Sequence, residues 1–434
     1  MGSLRIRVVT LGCKVNQCES ASIVSSIKKI GYNDTSEGLQ PSDVYILNTC
    51  SVTAEADRKS RQYIGKMRKL NPDCKIIVLG CSSQNSCEKF NKPNVIAIGG
   101  TIKKTEFVIN VLNKTALSQY NTISDRVLYC DNACKISEKR LYDYDEYPIS
   151  DKTRAFVKIQ DGCDRFCSYC IIPYLRGRSR SRSIDDIVKE CELSDSGEMV
   201  LTGIDISVYG RDIGTSLKEL IIALSKIGGR KRLGSLECEV IDEELLYAMK
   251  EGGFCPHFHL SLQSGSDSVL RSMNRHYDTS LFYDKVLMIR NIFPSAGITT
   301  DVIVGFPTET VEFFNDSCKF IEKCAFSDIH VFPYSSRTGT LAAKKYTVLS
   351  ADTVSERVGA LLSLKQKLKD RFISENLNSV YDVYVEEDTH DGYNVGYTPN
   401  YIKVYSTAPR GTVTRLLLSE PLYDGALGID LDKN

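Results

Sequence analysis

Three cysteines stand close together in the middle of the chain, at Cys163, Cys167 and Cys170, with the spacing C-x3-C-x2-C. Thiolates in one short loop can ligate three irons of a cubane iron–sulfur cluster and leave the fourth iron open to an exogenous ligand. A structural zinc site would need a fourth protein ligand nearby, and the next histidine or cysteine along the chain is Cys191. The spacing therefore favours a reactive iron–sulfur cluster over a zinc site.

A second set of cysteines is spread over the first part of the chain. Cys13, Cys50 and Cys81 each follow a short apolar run that predicts a strand. Because the carboxyl ends of parallel strands meet at one edge of a sheet, these three thiols can converge although they are far apart in the sequence. Free cysteine also packs well in protein cores, so placement alone leaves a second cluster and three buried core residues both open.

The elements that position the second set alternate between strand and helix patterns over residues 1–115. Strands are predicted at 6–10, 44–47, 76–79 and 95–98, and helices at 20–30 and 58–69. Short apolar runs separated by helices indicate a parallel sheet covered on both faces. We therefore predict a small doubly wound α/β domain.

A polar connector is predicted over residues 116–148, after which the alternation resumes over residues 149–373. Strands are predicted at 155–159, 198–201, 234–240, 258–262, 299–304 and 328–331, with a closing helix at 361–372. This alternation of strands and helices predicts a complete or partial (β/α) barrel, in which chemistry is expected at the carboxyl ends of the strands.

Short alternating segments follow in residues 374–434, the last part of the chain. Strands are predicted at 380–385, 392–397, 401–404 and 412–416. This spacing predicts a small antiparallel β-barrel. The predicted fold class is thus α/β with a C-terminal β-barrel.

Composition restricts the location and the partners of the protein. The 434 residues carry 55 Lys plus Arg and 55 Asp plus Glu, so any nucleic acid must be bound by a local basic patch. Neither a signal peptide nor a membrane-spanning run is recognisable, which predicts a soluble cytoplasmic protein with no membrane partner. In that reducing compartment, clustered members of the 16 cysteines are better explained as ligands than as disulfides.

The sequence motifs around the cysteines resemble those of a known family. They are TLGCKVNQ at 10–17, NTCSV at 48–52, IIPYLRGR at 171–178 directly after the triad, and HLSLQSGS at 259–266. The triad resembles that of the radical S-adenosylmethionine superfamily, and all the motifs together resemble the methylthiotransferases within it. The resemblance extends through all three predicted domains.

The resemblance implies two 4Fe-4S clusters and S-adenosylmethionine as cofactors. Cys163, Cys167 and Cys170 would hold the catalytic cluster that binds S-adenosylmethionine, and Cys13, Cys50 and Cys81 would hold an auxiliary cluster that carries the sulfur. Contacts to S-adenosylmethionine are implied for Tyr169, Gly203, Glu237, Ser261, Gln263 and Pro333. The terminal barrel resembles the TRAM domain, an RNA-binding module.

Three further motifs, at 200–204, 274–277 and 330–335, suggest which substrate-defined branch of the family the chain resembles. They most resemble the branch that adds a methylthio group at C2 of N6-threonylcarbamoyladenosine beside the tRNA anticodon. The expected partners are the anticodon stem-loop of tRNA and a reductase or flavodoxin-type electron donor. The same chemistry on isopentenyladenosine or on a ribosomal-protein aspartate remains an alternative, as does a non-catalytic iron–sulfur protein that binds RNA.

Alternating arginines follow the triad at Arg176, Arg178 and Arg180. Their position beside the expected chemistry predicts contacts with RNA phosphates, with a solvated loop as the alternative. Cys255, His257 and His259 also alternate and share one face of a predicted strand. We interpret them as buried strand residues rather than as metal ligands.

Overall fold

Three β-rich units make up the part of the chain that this computed structural model describes, which is residues 4–113, 127–128, 147–148 and 154–431. The predicted connector at 116–148 lies almost entirely outside the described residues. Within the described ranges, no helix combines the length and the apolar character needed to cross a membrane.

The first unit is a parallel sheet with the strand order β2-β1-β3-β4-β5-β6. Its strands are β1 (Ile6–Thr10), β2 (Thr35–Glu37), β3 (Val44–Thr49), β4 (Lys75–Gly80), β5 (Val95–Ile98) and β6 (Val127–Leu128), and its helices are α1 (Lys14–Lys29), α2 (Ala54–Leu70), α3 (Cys81–Asn85) and α4 (Lys104–Asn113). Every residue of the central strand β3 is buried, as expected for a sheet covered on both faces. Helix α1 begins earlier than predicted, directly after Cys13.

The second unit is a partial (β/α) barrel. Its strands are β7 (Arg154–Lys158), β8 (Gln160–Asp161), β9 (Arg180–Ser181), β10 (Glu198–Thr202), β11 (Arg230–Leu233), β12 (Ser235–Leu236), β13 (His257–Gln263), β14 (Gly297–Val304) and β15 (Asp328–Pro333). Its helices are α5 (Ile172–Arg176), α6 (Ile184–Glu192), α7 (Leu217–Leu224), α8 (Glu243–Glu251), α9 (Asp267–Ser272), α10 (Thr279–Ile292), α11 (Val311–Cys324), α12 (Leu341–Lys345) and α13 (Ala351–Glu375). Strands β7, β10 and β11 form one parallel group and β12 to β15 form another, while β8 and β9 form a short antiparallel ribbon.

The prediction of one strand over 234–240 is wrong. Instead, β11 starts at Arg230, β12 contains only Ser235 and Leu236, and residues 238–240 form a single 3-10 turn. The sequence of β11, RKRL, lacks an apolar pattern because two of its arginines form ion pairs inside the protein rather than facing solvent. A charged run can therefore be a buried strand when an acidic partner is buried with it.

The third unit is a closed barrel with the order β16-β17-β18-β20-β19. Its strands are β16 (Val380–His390), β17 (Tyr393–Tyr397), β18 (Lys403–Ser406), β19 (Val413–Leu422) and β20 (Gly425–Asp430). The sequence pattern did not reveal β20, which closes the barrel through a parallel pairing with β18. The predicted C-terminal β-barrel is confirmed, with one parallel pairing in place of a wholly antiparallel order.

This closed barrel packs against the amino ends of the partial-barrel strands. The guanidinium of Arg232 donates to the backbone carbonyls of Pro399 at 2.6 Å and Thr398 at 2.9 Å, and that of Arg230 donates to the carbonyl of Tyr397 at 3.0 Å. Both arginines, together with Arg154, form ion pairs with the fully buried Glu198. The C-terminal barrel thereby forms a floor beneath the partial barrel.

A buried network of charges joins the first sheet to the partial barrel at its other end. Arg176 lies 2.9 Å from Glu19 of α1 and 3.0 Å from Asp161 of β8, and its side chain is 1% exposed. Lys158 lies 2.7 Å from Glu19 and 2.8 Å from Asp161. Lys104 of α4 is a further partner of Glu19. Charges from both units thus neutralise each other at the interface.

Glu19 is the acidic group at the centre of this interface. Burial alone would raise the pKa of Glu19, but Arg176, Lys104 and Lys158 hold it well below the usual range of a glutamate. Glu19 is therefore a carboxylate at neutral pH. Its charge stabilises the folded state above the pKa of an unfolded glutamate, and that contribution is lost as the pH falls.

We expect Glu19→Gln to lower the free energy of unfolding by about 3–5 kcal/mol, because the substitution leaves buried cations without their partner. Urea unfolding of the full chain at neutral pH measures this. The wild-type protein should also lose stability below about pH 4, and the variant should lose less there. Glu106→Gln, which removes an exposed partner of Lys103, is the matched control and should change little. Equal effects of the two substitutions would contradict the role of the network.

Candidate active site

The loop that carries Cys163, Cys167 and Cys170 follows β8 and is anchored at several points. The backbone N–H of Cys163 donates to the carbonyl of Gly177 at 3.0 Å. The backbone N–H of Ser168 donates to the carbonyl of Met273 at 2.9 Å, and its hydroxyl donates to the carbonyl of Ser272 at 2.8 Å. The three thiols are therefore presented by a rigid loop at the carboxyl edge of the partial barrel.

The electrostatics of the loop show that its three sulfurs are neighbours. Burial raises the pKa of Cys170 to about 12, with Cys167 adding to the increase. Burial also raises the pKa of Cys163, where Cys170 and Cys167 contribute after Asp205. The guanidinium of Arg275 donates to the sulfur of Cys167 at 3.3 Å. Metal binding at these thiols would displace their protons and bind thiolates.

The second set of cysteines converges as predicted from strand order. Cys13 follows β1, Cys50 follows β3 and Cys81 follows β4, three strands that are adjacent in the sheet. Burial raises the pKa of Cys50 to about 12, and Cys81 and Cys13 add to the increase. The three thiols therefore form a second group of neighbours.

Two glycines allow this convergence. Gly12 has φ of 102°, and a Cβ at that position would lie 2.5 Å from the sulfur of Cys50. Gly80 has φ of 110°, and a Cβ there would lie 2.5 Å from the carbonyl oxygen of Thr49. A side chain at either position would have to displace a cysteine or the backbone beside it.

The two cysteine sets face each other across the interface between the units. Cys81 packs with Ile171 and Leu175, which belong to the segment directly after the triad. Cys81 also contributes to the raised pKa of Cys170, after burial and Cys167. Arg176 acts electrostatically on Cys81 from within the buried network. The carboxyl edge of the first sheet thus covers the carboxyl edge of the partial barrel.

The spacing of the thiols suits clusters better than single ions. Among the residues that the structure describes, the group whose three ligand atoms all lie within 4.8 Å of one another is His259, Asp301 and His330. Neither cysteine set is that tight, whereas a single zinc ion at about 2.3 Å from each sulfur would require it. Three thiols that lie further apart than a single zinc ion allows fit an iron–sulfur cluster.

The residues that the sequence suggests for S-adenosylmethionine lie on the triad loop or at the carboxyl ends of the barrel strands. Gly203 follows β10, Glu237 follows β12, Ser261 and Gln263 end β13, Pro333 ends β15, and Tyr169 packs from the loop against Met273 and Phe306. Gln263 has a left-handed φ of 63°, and the pairing of β13 with β14 shifts register between Leu260 and Gln263. Such backbone strain is typical of functional sites.

Arg275 belongs to the motif at 274–277, but the sequence assigns it no role in the site. Besides its hydrogen bond to Cys167, its guanidinium forms an ion pair with Glu237 and donates to the carbonyl of Ser261 at 3.2 Å. It therefore links the triad loop to two of the strand ends expected to contact S-adenosylmethionine. Only the folded structure brings these four residues together.

The expected contacts of the alternating arginines with RNA need correction. Arg176 belongs to the buried network, and the Arg180 side chain is 9% exposed and lies 2.9 Å from Asp161. Both are therefore unavailable to phosphates, and the prediction is wrong for them. The Arg178 side chain is 46% exposed, pairs with Asp164 at 3.1 Å and lies over the ring of Phe166. Of the three, only Arg178 stays a candidate.

A cavity of about 640 Å³ runs through the interior of the partial barrel. Cys13 and Lys14 line it at the end near the cysteines, and Tyr401 and Lys403 of the C-terminal barrel line it at the floor. Its wall also carries His259, which lies 3.3 Å from Asp301 and beside His330. The sequence places His259 on a strand face, but the neighbouring strands that supply Asp301 and His330 are visible only in the fold.

Comparison with known proteins matches both halves of this site. Residues 5–99 match the family described as Uncharacterized protein family UPF0004, and residues 157–321 match the Radical SAM superfamily. The cobalamin-dependent S-adenosylmethionine radical enzyme OxsB shares the fold, with a TM-score of 0.51 at 13% identity, covering 85% of this chain and 56% of that chain.

Relatives with assigned names extend over almost the whole chain. Threonylcarbamoyladenosine tRNA methylthiotransferase MtaB of Bacillus subtilis is 37% identical, covering 91% of this chain and 88% of the relative. MtaB of Thermotoga maritima is 34% identical, covering 90% of each chain. The tRNA-2-methylthio-N(6)-dimethylallyladenosine synthase of Acetivibrio thermocellus is 34% identical, covering 90% of this chain and 82% of the relative. With both cysteine sets in place and this coverage, the chain belongs to the radical S-adenosylmethionine methylthiotransferases, in the group of the MtaB proteins.

Proposed function

We propose that this enzyme adds a methylthio group at C2 of N6-threonylcarbamoyladenosine beside the anticodon of tRNA. The observation that carries the proposal is the meeting of two all-cysteine donor sets across the interface of the first two units, beside a cavity that Cys13 lines. One set would serve radical formation and the other would serve sulfur transfer, and both must reach the same adenine. The names of the Bacillus subtilis and Thermotoga maritima relatives support this substrate.

The two donor sets take different cofactor roles in this proposal. Cys163, Cys167 and Cys170 would hold the 4Fe-4S cluster that binds S-adenosylmethionine, and Cys13, Cys50 and Cys81 would hold the auxiliary 4Fe-4S cluster. When bound, these groups supply a 5′-deoxyadenosyl radical and a methylated sulfur for transfer. The chain itself contributes ligands, orientation and shielding from water.

Orientation of the S-adenosylmethionine site depends on Arg275. Its contacts with Cys167, Glu237 and the Ser261 carbonyl fix the triad loop relative to the strand ends. Tyr169, Gly203, Gln263 and Pro333 complete the proposed binding surface at the same edge. The floor formed by the C-terminal barrel closes the opposite end of the cavity, which limits the entry of water from below.

Binding of tRNA is assigned to the exposed surface near the triad and to the terminal barrel. Arg178 is the proposed phosphate contact, and residues 374–434 are proposed to act as a TRAM-like RNA-binding domain. Residues 1–115 and 149–373 are the proposed auxiliary-cluster and radical domains. A reductase or flavodoxin-type protein is the proposed electron donor. A cytoplasmic location is also proposed, because a reducing compartment suits a chain with 16 cysteines of which six are proposed cluster ligands.

The two cysteine sets should separate the two halves of the reaction. We expect Cys163→Ala to abolish formation of 5′-deoxyadenosine from S-adenosylmethionine and dithionite, because the loop loses a ligand of the catalytic cluster. Cys50→Ala should retain that cleavage but form no methylthio product. Each variant should bind about four irons per chain, against about eight in the wild type, after anaerobic reconstitution.

Cys87→Ala is the matched control for these variants. Cys87 lies in the same domain as Cys50 but outside both cysteine sets, so iron content and product formation should stay at the wild-type level. Loss of 5′-deoxyadenosine formation in Cys50→Ala, with about four irons still bound, would contradict the division of roles.

The proposed substrate is tested with tRNA that carries defined modifications. Reconstituted enzyme, S-adenosylmethionine and reductant should convert N6-threonylcarbamoyladenosine in tRNA into its 2-methylthio derivative, as detected by nucleoside mass spectrometry. The same tRNA carrying dimethylallyladenosine should yield little product. Preferential modification of dimethylallyladenosine would show that the proposed substrate is wrong and would favour the activity named for the Acetivibrio thermocellus relative.

The phosphate contact at Arg178 is tested by salt dependence. Arg178→Gln should weaken binding of an anticodon stem-loop and reduce the slope of log Kd against log salt by about one, because one counterion fewer is released. Arg371→Gln, which breaks a comparable exposed pair with Glu375 on α13, is the control. An unchanged slope for Arg178→Gln would remove Arg178 from the RNA-binding surface.

A further inference from the structure

Lys14 carries a charge in the cavity wall that no partner neutralises. It follows Cys13, begins α1 and lines the cavity. Among the described residues, no ion pair or side-chain hydrogen bond involves its ammonium group. Most other charged residues of this cavity wall are paired: Arg154 and Arg232 with Glu198, Lys369 and Lys403 with Asp424, and Asp328 with Lys365. Asp301 lies 3.3 Å from the imidazole of His259.

The charged groups that act on Lys14 extend along the cavity toward the floor, where cations outnumber anions. Arg154 and Arg232 repel its ammonium, while Glu198 and Asp301 attract it. Glu198, however, is shared with Arg154, Arg230 and Arg232 at 2.7, 3.2 and 2.9 Å, and Glu386 adds one further carboxylate, 2.9 Å from Arg154. Lys14 is exposed to the cavity, so its ammonium is open to an anion that a ligand brings. The wall near Cys13 is thus suited to a carboxylate.

We propose that Lys14 binds the carboxylate of the threonyl group of the substrate adenosine, an inference that rests on the proposed function. The threonylcarbamoyl group is attached at N6, and C6, which bears N6, and C2 are the two ring atoms bonded to N1. Cys13 belongs to the set assigned to sulfur transfer at C2. The residue directly after Cys13 is therefore well placed to meet a group carried by N6.

This contact would also provide discrimination between modified adenosines. A dimethylallyl group is apolar and offers no acceptor, so binding it would bury the Lys14 ammonium without a partner. A threonyl carboxylate would form a charge-assisted hydrogen bond with the same group. One lysine thus favours the charged substrate and disfavours the apolar one.

The test compares three anticodon stem-loop RNAs that differ only at the target adenosine: threonylcarbamoyladenosine, its threonyl methyl ester, and dimethylallyladenosine. Fluorescence anisotropy with anaerobically reconstituted full-length enzyme gives each Kd. The wild type should bind the free acid about 10- to 100-fold more tightly than the ester. Lys14→Gln should abolish that preference, and Lys14→Arg should retain it. Lys28→Gln, in the last turn of the same helix, is the matched control and should also retain it.

The outcomes separate this inference from the proposed function. Equal binding of acid and ester by the wild type would overturn the inference without recourse to any variant. A preference for the acid that persists in Lys14→Gln, at unchanged iron content, would overturn it as well. Selective binding of the acid without any methylthio product would leave the Lys14 site in place and refute the proposed reaction instead.

Discussion

The active site depends on the buried charges that Glu19, Lys104, Lys158, Asp161 and Arg176 share across two separate units. Each cysteine set is built by a different sheet, so neither sheet alone fixes the distance between the two sets. The buried ion pairs provide that constraint, because charges in a low-dielectric interface require close and specific partners. Arg176 is central, since it contacts acidic groups from both units and acts on Cys81.

A second buried set of charges stands at the opposite end of the cavity. Glu198 forms ion pairs with Arg154, Arg230 and Arg232. Arg230 and Arg232 also donate hydrogen bonds to backbone carbonyls of the C-terminal barrel. The cavity is therefore bounded by ionic interfaces at both ends and by strand faces along its length. This arrangement fixes the position of the cysteine end of the cavity relative to its floor, while the wall between them remains available to a substrate.

The sequence predicted those features that follow from local patterns. The cysteines of the second set lie at strand ends because apolar runs mark parallel strands, and such strands end at one edge. It failed where a partner comes from a distant part of the chain. The alternation of Arg176 and Arg180 in the sequence suggests a basic surface. Only the folded structure shows that both side chains are buried and paired with Glu19 and Asp161. The charged strand β11 and the contacts of Arg275 were missed for the same reason.

The contact between the partial barrel and the C-terminal barrel uses main-chain acceptors. Arg230 and Arg232 bind the carbonyls of Tyr397, Thr398 and Pro399, and every amino acid supplies a carbonyl of this kind. The attachment thus depends on the path of this loop more than on the identity of its side chains. Side chains on the outer surface of the C-terminal barrel can consequently change while the floor of the cavity keeps its shape.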